Sequence, residues 1–402
     1  MIKLLSNRGY TLYGLHYKTH SFITQKIILK FAKIILNKHT LLIYESIVYN
    51  IGMYSREFNK PPKNIVKNGK AKYGAYIGVP NKIDIRGMRA PYAGVPLPSF
   101  ISNLRIKSRL AYIFSLDKYF GAAEFFDFKA IGIARLLLWN KETNKKNVYT
   151  TLMPPRRRFV PNDSTRGICA CYTKSRFLKI SWGNNHEHFS VNFDIKGDGA
   201  RSTTSGYFVN TADDDKKVDL FYVNPSPTKA RCSATWLSSM HTKGNLFIDN
   251  TMVDDSVGLG LMVMNRTYFK FKSKTTMICG MDKYKGRDIT FFIKSSNMDA
   301  ADEYNYNDNT LIVDGIATAL PPVYITHPFG LDKKWIIQDT ESMVDLSFTP
   351  ASMNQQILDI IALRSNNNTL YGTFEGVLLT KDGEKILLKN FPGAIHKSLL
   401  RL

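Results

Sequence analysis

The stretch Ala130-Ile131-Gly132-Ile133-Ala134-Arg135-Leu136-Leu137-Leu138-Trp139 runs into Asn140-Lys141-Glu142-Thr143-Asn144, and Asn147 to Leu152 follows it. An apolar run, a polar Asn-bounded break and a second run of similar length read as one antiparallel hairpin. Outward from it the same style recurs. Ala111–Ser115, Phe177–Trp182 and Phe189–Ile195 are short runs that stop at turn residues. In the second half come Gly244–Ile248 with the turn Asp249-Asn250, then Asp288–Ile293, then Thr310–Val313 closed by Asp314-Gly315, then Trp335–Gln338. Asp-Gly and Asn-rich turns between short apolar runs mark hairpins.

No strand after about residue 60 alternates with a long amphipathic helix, which disfavours a parallel α/β fold. So many hairpins point to closed barrels or sandwiches, which remove exposed edges. The expected fold is all-β: two antiparallel barrels or half-barrels packed together behind a basic helical extension. The length of 402 residues suits two domains, and 44% hydrophobic with 22% charged residues is ordinary globular composition. The expected division is 1–57 for the extension, 58–225 for a first β domain and 226–402 for a second. The charged run Asp213–Lys217 and the link Pro225-Ser226-Pro227 suggest the boundary.

Residues 1–57 contain no acid before Glu45, and Lys26, Lys30 and Lys33 fall at helical spacing within an otherwise apolar run. Three lysines argue against a membrane span or a secretory signal. A basic amphipathic helix suits a mitochondrial presequence or an anionic membrane surface; alternatively, Met53 is the natural start. The expected location is intracellular: cytoplasmic, or mitochondrial if the extension is genuine. The charge of +22 favours anionic partners, yet the basic residues are spread along the chain. Nucleic acid is not expected as a partner, because Arg156-Arg157-Arg158 has only Phe159 beside it as a stacking ring.

Towards the C-terminus, Leu370-Tyr371-Gly372-Thr373-Phe374-Glu375-Gly376-Val377 continues through Lys381-Asp382-Gly383 to Pro392-Gly393-Ala394-Ile395-His396. This resembles the closing hairpin of the domain-of-unknown-function family numbered 2804. Asp308-Asn309, Val313-Asp314-Gly315 and Leu320-Pro321-Pro322-Val323 resemble further markers of that family in the right order, and the resemblance spans about residues 58 to 402. It implies distant similarity to carotenoid hydratases and AttH-like proteins, hence two lipocalin-like halves with an apolar ligand cavity. It also implies roles for Arg266 and Tyr268, which match the family's central motif, and for His396, which matches a family position. At Val263, where the resemblance implies an aspartate, a valine cannot donate or accept a proton.

The expected function is therefore the binding of a hydrophobic small molecule or lipid without catalysis, with Arg266, Tyr268 and His396 as ligand contacts. A hydratase or isomerase is the alternative, with Asp254, Asp255 or Asp282 replacing the missing acid. A basic adaptor for nucleic acid or an organellar assembly is a further one. No metal site is expected. His186-Glu187-His188 lacks a recognisable third ligand, and Cys169, Cys171, Cys232 and Cys279 form no CxxC pair, so they read as core residues. No cofactor is expected either, since the chain has no Walker loop, GxGxxG, HExxH or GxSxG.

Overall fold

The opening hairpin forms as its sequence dictates. The Asn140 side-chain oxygen accepts the Glu142 and Thr143 amides at 3.0 and 2.7 Å. Asn144 takes the left-handed conformation (φ 57°) that reverses the chain. The computed structural model describes residues 54–92, 98–155, 159–210, 215–360 and 363–401. The expected N-terminal helix and the triple arginine at 156–158 lie outside the described residues. At the first described residue, Tyr54, the buried hydroxyl donates to the Tyr304 carbonyl at 2.8 Å.

The described residues form strands and one short helix, in the following order. The chain starts with β1 (Phe58–Asn59), β2 (Val66–Lys67), β3 (Lys70–Ala71), β4 (Gly74–Ile77) and the helix α1 (Ser99–Leu104). Next come β5 (Ile106–Ser115), β6 (Tyr119–Asp127), β7 (Gly132–Asn140), β8 (Lys146–Met153), β9 (Gly167–Tyr172) and β10 (Arg176–Gly183). They are followed by β11 (His188–Ile195), β12 (Thr204–Asn210), β13 (Val218–Pro225), β14 (Cys232–Ile248), β15 (Thr251–Asp254) and β16 (Val257–Tyr268). The remainder are β17 (Lys272–Tyr284), β18 (Arg287–Ser296), β19 (Thr310–Val313), β20 (Ile316–Ala319) and β21 (Tyr324–Thr326). Last are β22 (Trp335–Gln338), β23 (Val344–Ile360), β24 (Leu363–Leu379) and β25 (Lys385–Arg401).

The first sheet runs β8-β7-β6-β5-β16-β14-β12-β11-β10-β9 and curls into a nearly closed barrel. Side chains bridge the remaining gap: Arg176 of β10 donates to the Thr150 carbonyl and, at 3.2 Å, to the Thr151 hydroxyl of β8. The second sheet, β20-β19-β18-β17-β25-β24-β23-β22-β21, is a half-barrel. The chain crosses from one to the other between Tyr268 and Lys272. Pro225-Ser226-Pro227, the expected boundary, instead turns β13 into β14 within the first sheet.

The two halves meet along the outer face of the barrel. Strand residues alternate between faces. In β5, β6, β7 and β16 one face therefore fills the barrel (Leu110, Phe125, Leu136, Met262) and the other (Ile113, Phe120, Leu137, Val263) packs on the second sheet. Burial on both faces makes these strands read as near-continuous apolar runs. β10 and β11 have one face toward the barrel interior and show strict alternation. Trp139 of β7 stacks on Tyr371 of β24 with ring centroids 5.6 Å apart, which ties the sheets together. Each fully buried aliphatic of this seam, such as Leu137, contributes about 1.5–3 kcal/mol.

The Tyr-Gly-x-Phe-x-Gly motif has a local cause. A β-bulge interrupts the β24–β25 register between Phe374 and Gly376. Gly376 takes φ 135°, and a Cβ there would lie 2.0 Å from the Asp345 carbonyl oxygen. Only glycine fits.

Candidate functional site

Three of the charges carried by the doubly buried strands form one cluster: Arg109 on β5, Glu124 on β6 and Arg135 on β7. The ladder sets Glu124 opposite Ala111 on one side and opposite Arg135 on the other, which places Arg109 on its diagonal. All three therefore face the second sheet. Glu124 accepts from Arg135 Nε at 2.8 Å and also from Nη2 of both Arg135 and Arg109. The ring centroid of Phe126 lies 5.3 Å from the Arg109 guanidinium carbon and 5.5 Å from that of Arg135, so one ring makes cation–π contacts with both.

From the second sheet, β25 brings His396 against this cluster. Its Nδ1 lies 3.0 Å from the Thr369 hydroxyl and 3.5 Å from Arg135 Nη2. Burial, together with Arg109 and Arg135, drives the imidazole pKa well below its ordinary value, so His396 is neutral. Burial would raise the Glu124 carboxyl, but Arg135 and Arg109 outweigh it and hold it well below the carboxylate range.

Between the sheets lies a cavity of about 100 Å³. Arg109, Phe126 and Val263 form part of its first-sheet wall, and Met277, Phe292 and His396 part of the second. A second charged group sits on the far side. Lys294 Nζ meets Asp308 Oδ2 at 2.5 Å and Asp299 Oδ1 at 3.5 Å. Asp308 also accepts from the Asn224 amide at 2.5 Å and from the Thr235 hydroxyl at 2.8 Å. Burial would lower the Lys294 ammonium, yet the two aspartates raise it. Burial raises the Asp299 carboxyl to about 6, with Lys294 offsetting part of the effect. The site thus combines apolar walls with a neutral imidazole, a carboxyl that titrates near neutrality and fixed cations.

Of the residues singled out in the sequence, His396 lines this cavity. Arg266 and Tyr268 lie on the opposite face of β16 from Val263, Asn265 and Thr267, which do line it. Arg266 points into the barrel and donates through Nη2 to the Val160 and Pro161 carbonyls at 2.8 and 2.6 Å. Burial lowers its pKa to about 10. Tyr268 is buried in the barrel core beside Tyr92, and burial raises its hydroxyl pKa.

The three candidate acids stand elsewhere. Asp254 caps a turn, accepting the Lys118 and Ser256 amides at 2.8 and 3.0 Å. Asp255 is exposed, and Asp282 pairs with Lys141 at 2.9 Å. None of these three lines the cavity. His186 sits in a left-handed turn and His188 begins β11, so they do not share a strand face. Among the described residues no group of three His, Cys, Asp or Glu side chains is arranged to hold a metal. The four cysteines are buried and none is in a disulfide.

Arg109, Glu124, Arg135, Lys294 and Asp299 were not singled out in the sequence. Their signal is a lone charge inside or beside an apolar run, which gains meaning only when register brings several together.

This is an all-β protein in which a nearly closed barrel packs on a half-barrel and encloses a mixed polar and apolar cavity at the seam. The chain belongs to the family described as Domain of unknown function (DUF2804), whose model matches residues 93–401. No curated protein sequence matches it significantly. Kievitone hydratase from Nectria haematococca is structurally similar over 73% of this chain and 88% of its own, at 9% identity and a TM-score of 0.38. CghA, solved with Sch210972, is similar over 74% of this chain and 88% of its own, at 8% identity and a TM-score of 0.35.

Proposed function

We propose that this protein binds a small, mostly apolar molecule in the seam cavity, without chemical change. The observation that carries this reading is the lining: aromatic and thioether side chains from both sheets (Phe126, Phe128, Met277, Phe292) form apolar wall between more numerous polar side chains. Cavities of this make-up bind by apolar burial and orient the ligand through their polar contacts. At about 100 Å³ the space suits a body near the size of one aromatic ring better than a long acyl chain. Val263 supports binding over catalysis. It lines the cavity at the position where the family pattern implies an aspartate, so that wall carries no proton-transfer group there.

Native mass spectrometry of the purified chain, followed by titration with small aromatic compounds observed at the Met277 and Met298 methyl signals, tests the reading. Saturable shifts confined to the cavity methyls are expected. A chain that carries no ligand and whose methyl signals do not respond would refute it.

Catalysis by a hydratase or isomerase draws on a different observation, that Asp299 and His396 line the same cavity. Asp299, raised by burial to about 6, has a pKa that general acid–base chemistry can use, while His396 offers a neutral imidazole. That reading demands turnover of an apolar substrate that Asp299→Asn and His396→Asn both abolish.

A further inference from the structure

We propose that the ligand of the seam cavity is a small monocarboxylate with an apolar body, its carboxylate held by Lys107 and Arg109; this rests on the binding role proposed above. The two cations stand two residues apart on β5 and both line the cavity. Neither has its full complement of partners.

Lys107 is buried, and its ammonium donates to the Phe128 carbonyl at 2.5 Å. The acid that acts on it, Asp127, is bound by Lys129 at 2.6 Å. Arg109 shares its one carboxylate, Glu124, with Arg135. Its Nη1 points at the Met277 sulfur at 2.9 Å, and its Nε is buried with no hydrogen-bond partner. A thioether is a weak acceptor, so this guanidinium is underused where it stands. Lys294 is different, because Asp308 and Asp299 already neutralise it. The positive excess therefore lies at the Lys107–Arg109 end, flanked by Phe126, Phe128 and Phe269. A carboxylate there would accept charge-assisted hydrogen bonds, the strong kind, while an apolar body lies against those rings.

The charge state of Lys107 gives the site a pH signature. Burial lowers its pKa to about 8; Asp127 works against this, while Lys129 and Arg105 reinforce it. Arg109, Lys294, Asp299, Asp308 and His396 also face the cavity. A bound carboxylate favours the ammonium, so binding at pH 8 takes up a proton, and affinity falls as pH rises past that value.

The test uses the full chain and three compounds with nearly the same body: phenylacetate, 2-phenylethanol and phenethylamine. Phenylacetate is expected to bind at least tenfold more tightly than the alcohol, and the amine most weakly. Lys107→Met should cost phenylacetate tenfold or more and leave the alcohol within about twofold. Calorimetry of the unaltered protein at pH 8, in two buffers of different ionisation enthalpy, should show proton uptake with phenylacetate and none with the alcohol. This readout does not depend on the variant's folding. Equal binding of acid and alcohol with no proton uptake would overturn the carboxylate assignment and leave the binding role standing. Failure of all three compounds to bind would overturn both.

Discussion

Glu124 and Arg135 stand directly opposite each other across the β6–β7 ladder, joined at 2.8 Å, in strands buried on both faces. A single carboxylate there compensates two guanidiniums, since Arg109 takes its other oxygen. Taking charges out of water costs several kcal/mol, so the cluster tolerates its cations only while the acid is present.

Glu124→Gln therefore leaves Arg109 and Arg135 buried without a counter-charge. The expected loss is about 3–5 kcal/mol of stability, read as a lower denaturant midpoint with unchanged slope. A midpoint within experimental error of the parent would mean that water reaches the cluster.

His396 gives stability a dependence on mild acid. Its native pKa is depressed, so between the native value and the unfolded value of about 6.5 the unfolded chain binds a proton that the native chain does not. That contribution is intact above about pH 6.5 and is lost progressively as pH falls below it. Urea midpoints of His396→Asn at pH 7 and pH 5 should differ less than those of the parent. An unchanged difference would place the effect in another histidine.

Asp299 should titrate with a midpoint near pH 6, observed as the shift of its carboxyl carbon in an NMR pH series. Lys294→Met removes the cation that holds the value down, and the midpoint should then rise. A midpoint near 4 in the parent would show that the carboxyl is hydrated.

Gly376→Ala meets both a strained backbone angle and the Asp345 carbonyl oxygen. The expected cost is about 1–3 kcal/mol, with the β24 amides next to the bulge losing hydrogen-exchange protection first. Gly383→Ala makes the control. It shares a positive φ, but a Cβ there meets nothing within 4 Å.

Hairpins with polar turns and a half-buried face were legible residue by residue. Thr310–Val313 and Trp335–Gln338 coincide with β19 and β22. The change of sheet was not legible, because β14 switches partners along its length. Its first half pairs with β13 and its second with β12. The loops that serve this switch resemble a domain boundary, while the true crossing, Phe269–Phe271, carries no proline or acidic run. Of the candidate residues read from the sequence, His396 lines the seam cavity, whereas Arg266 and Tyr268 lie on the other face of β16; periodicity alone cannot say which of two buried faces meets a cavity. The charges that matter are isolated in sequence, and only the ladder register gathers them.

The seam also constrains how this chain can change over time. Its pocket walls belong to separate sheets, so neither half carries the pocket alone and a substitution in one redraws the space seen by the other. Exchanging either half for a foreign one would uncover Trp139 or Tyr371 and dismantle the pocket at once. The barrel and its half-barrel must be inherited as a single unit.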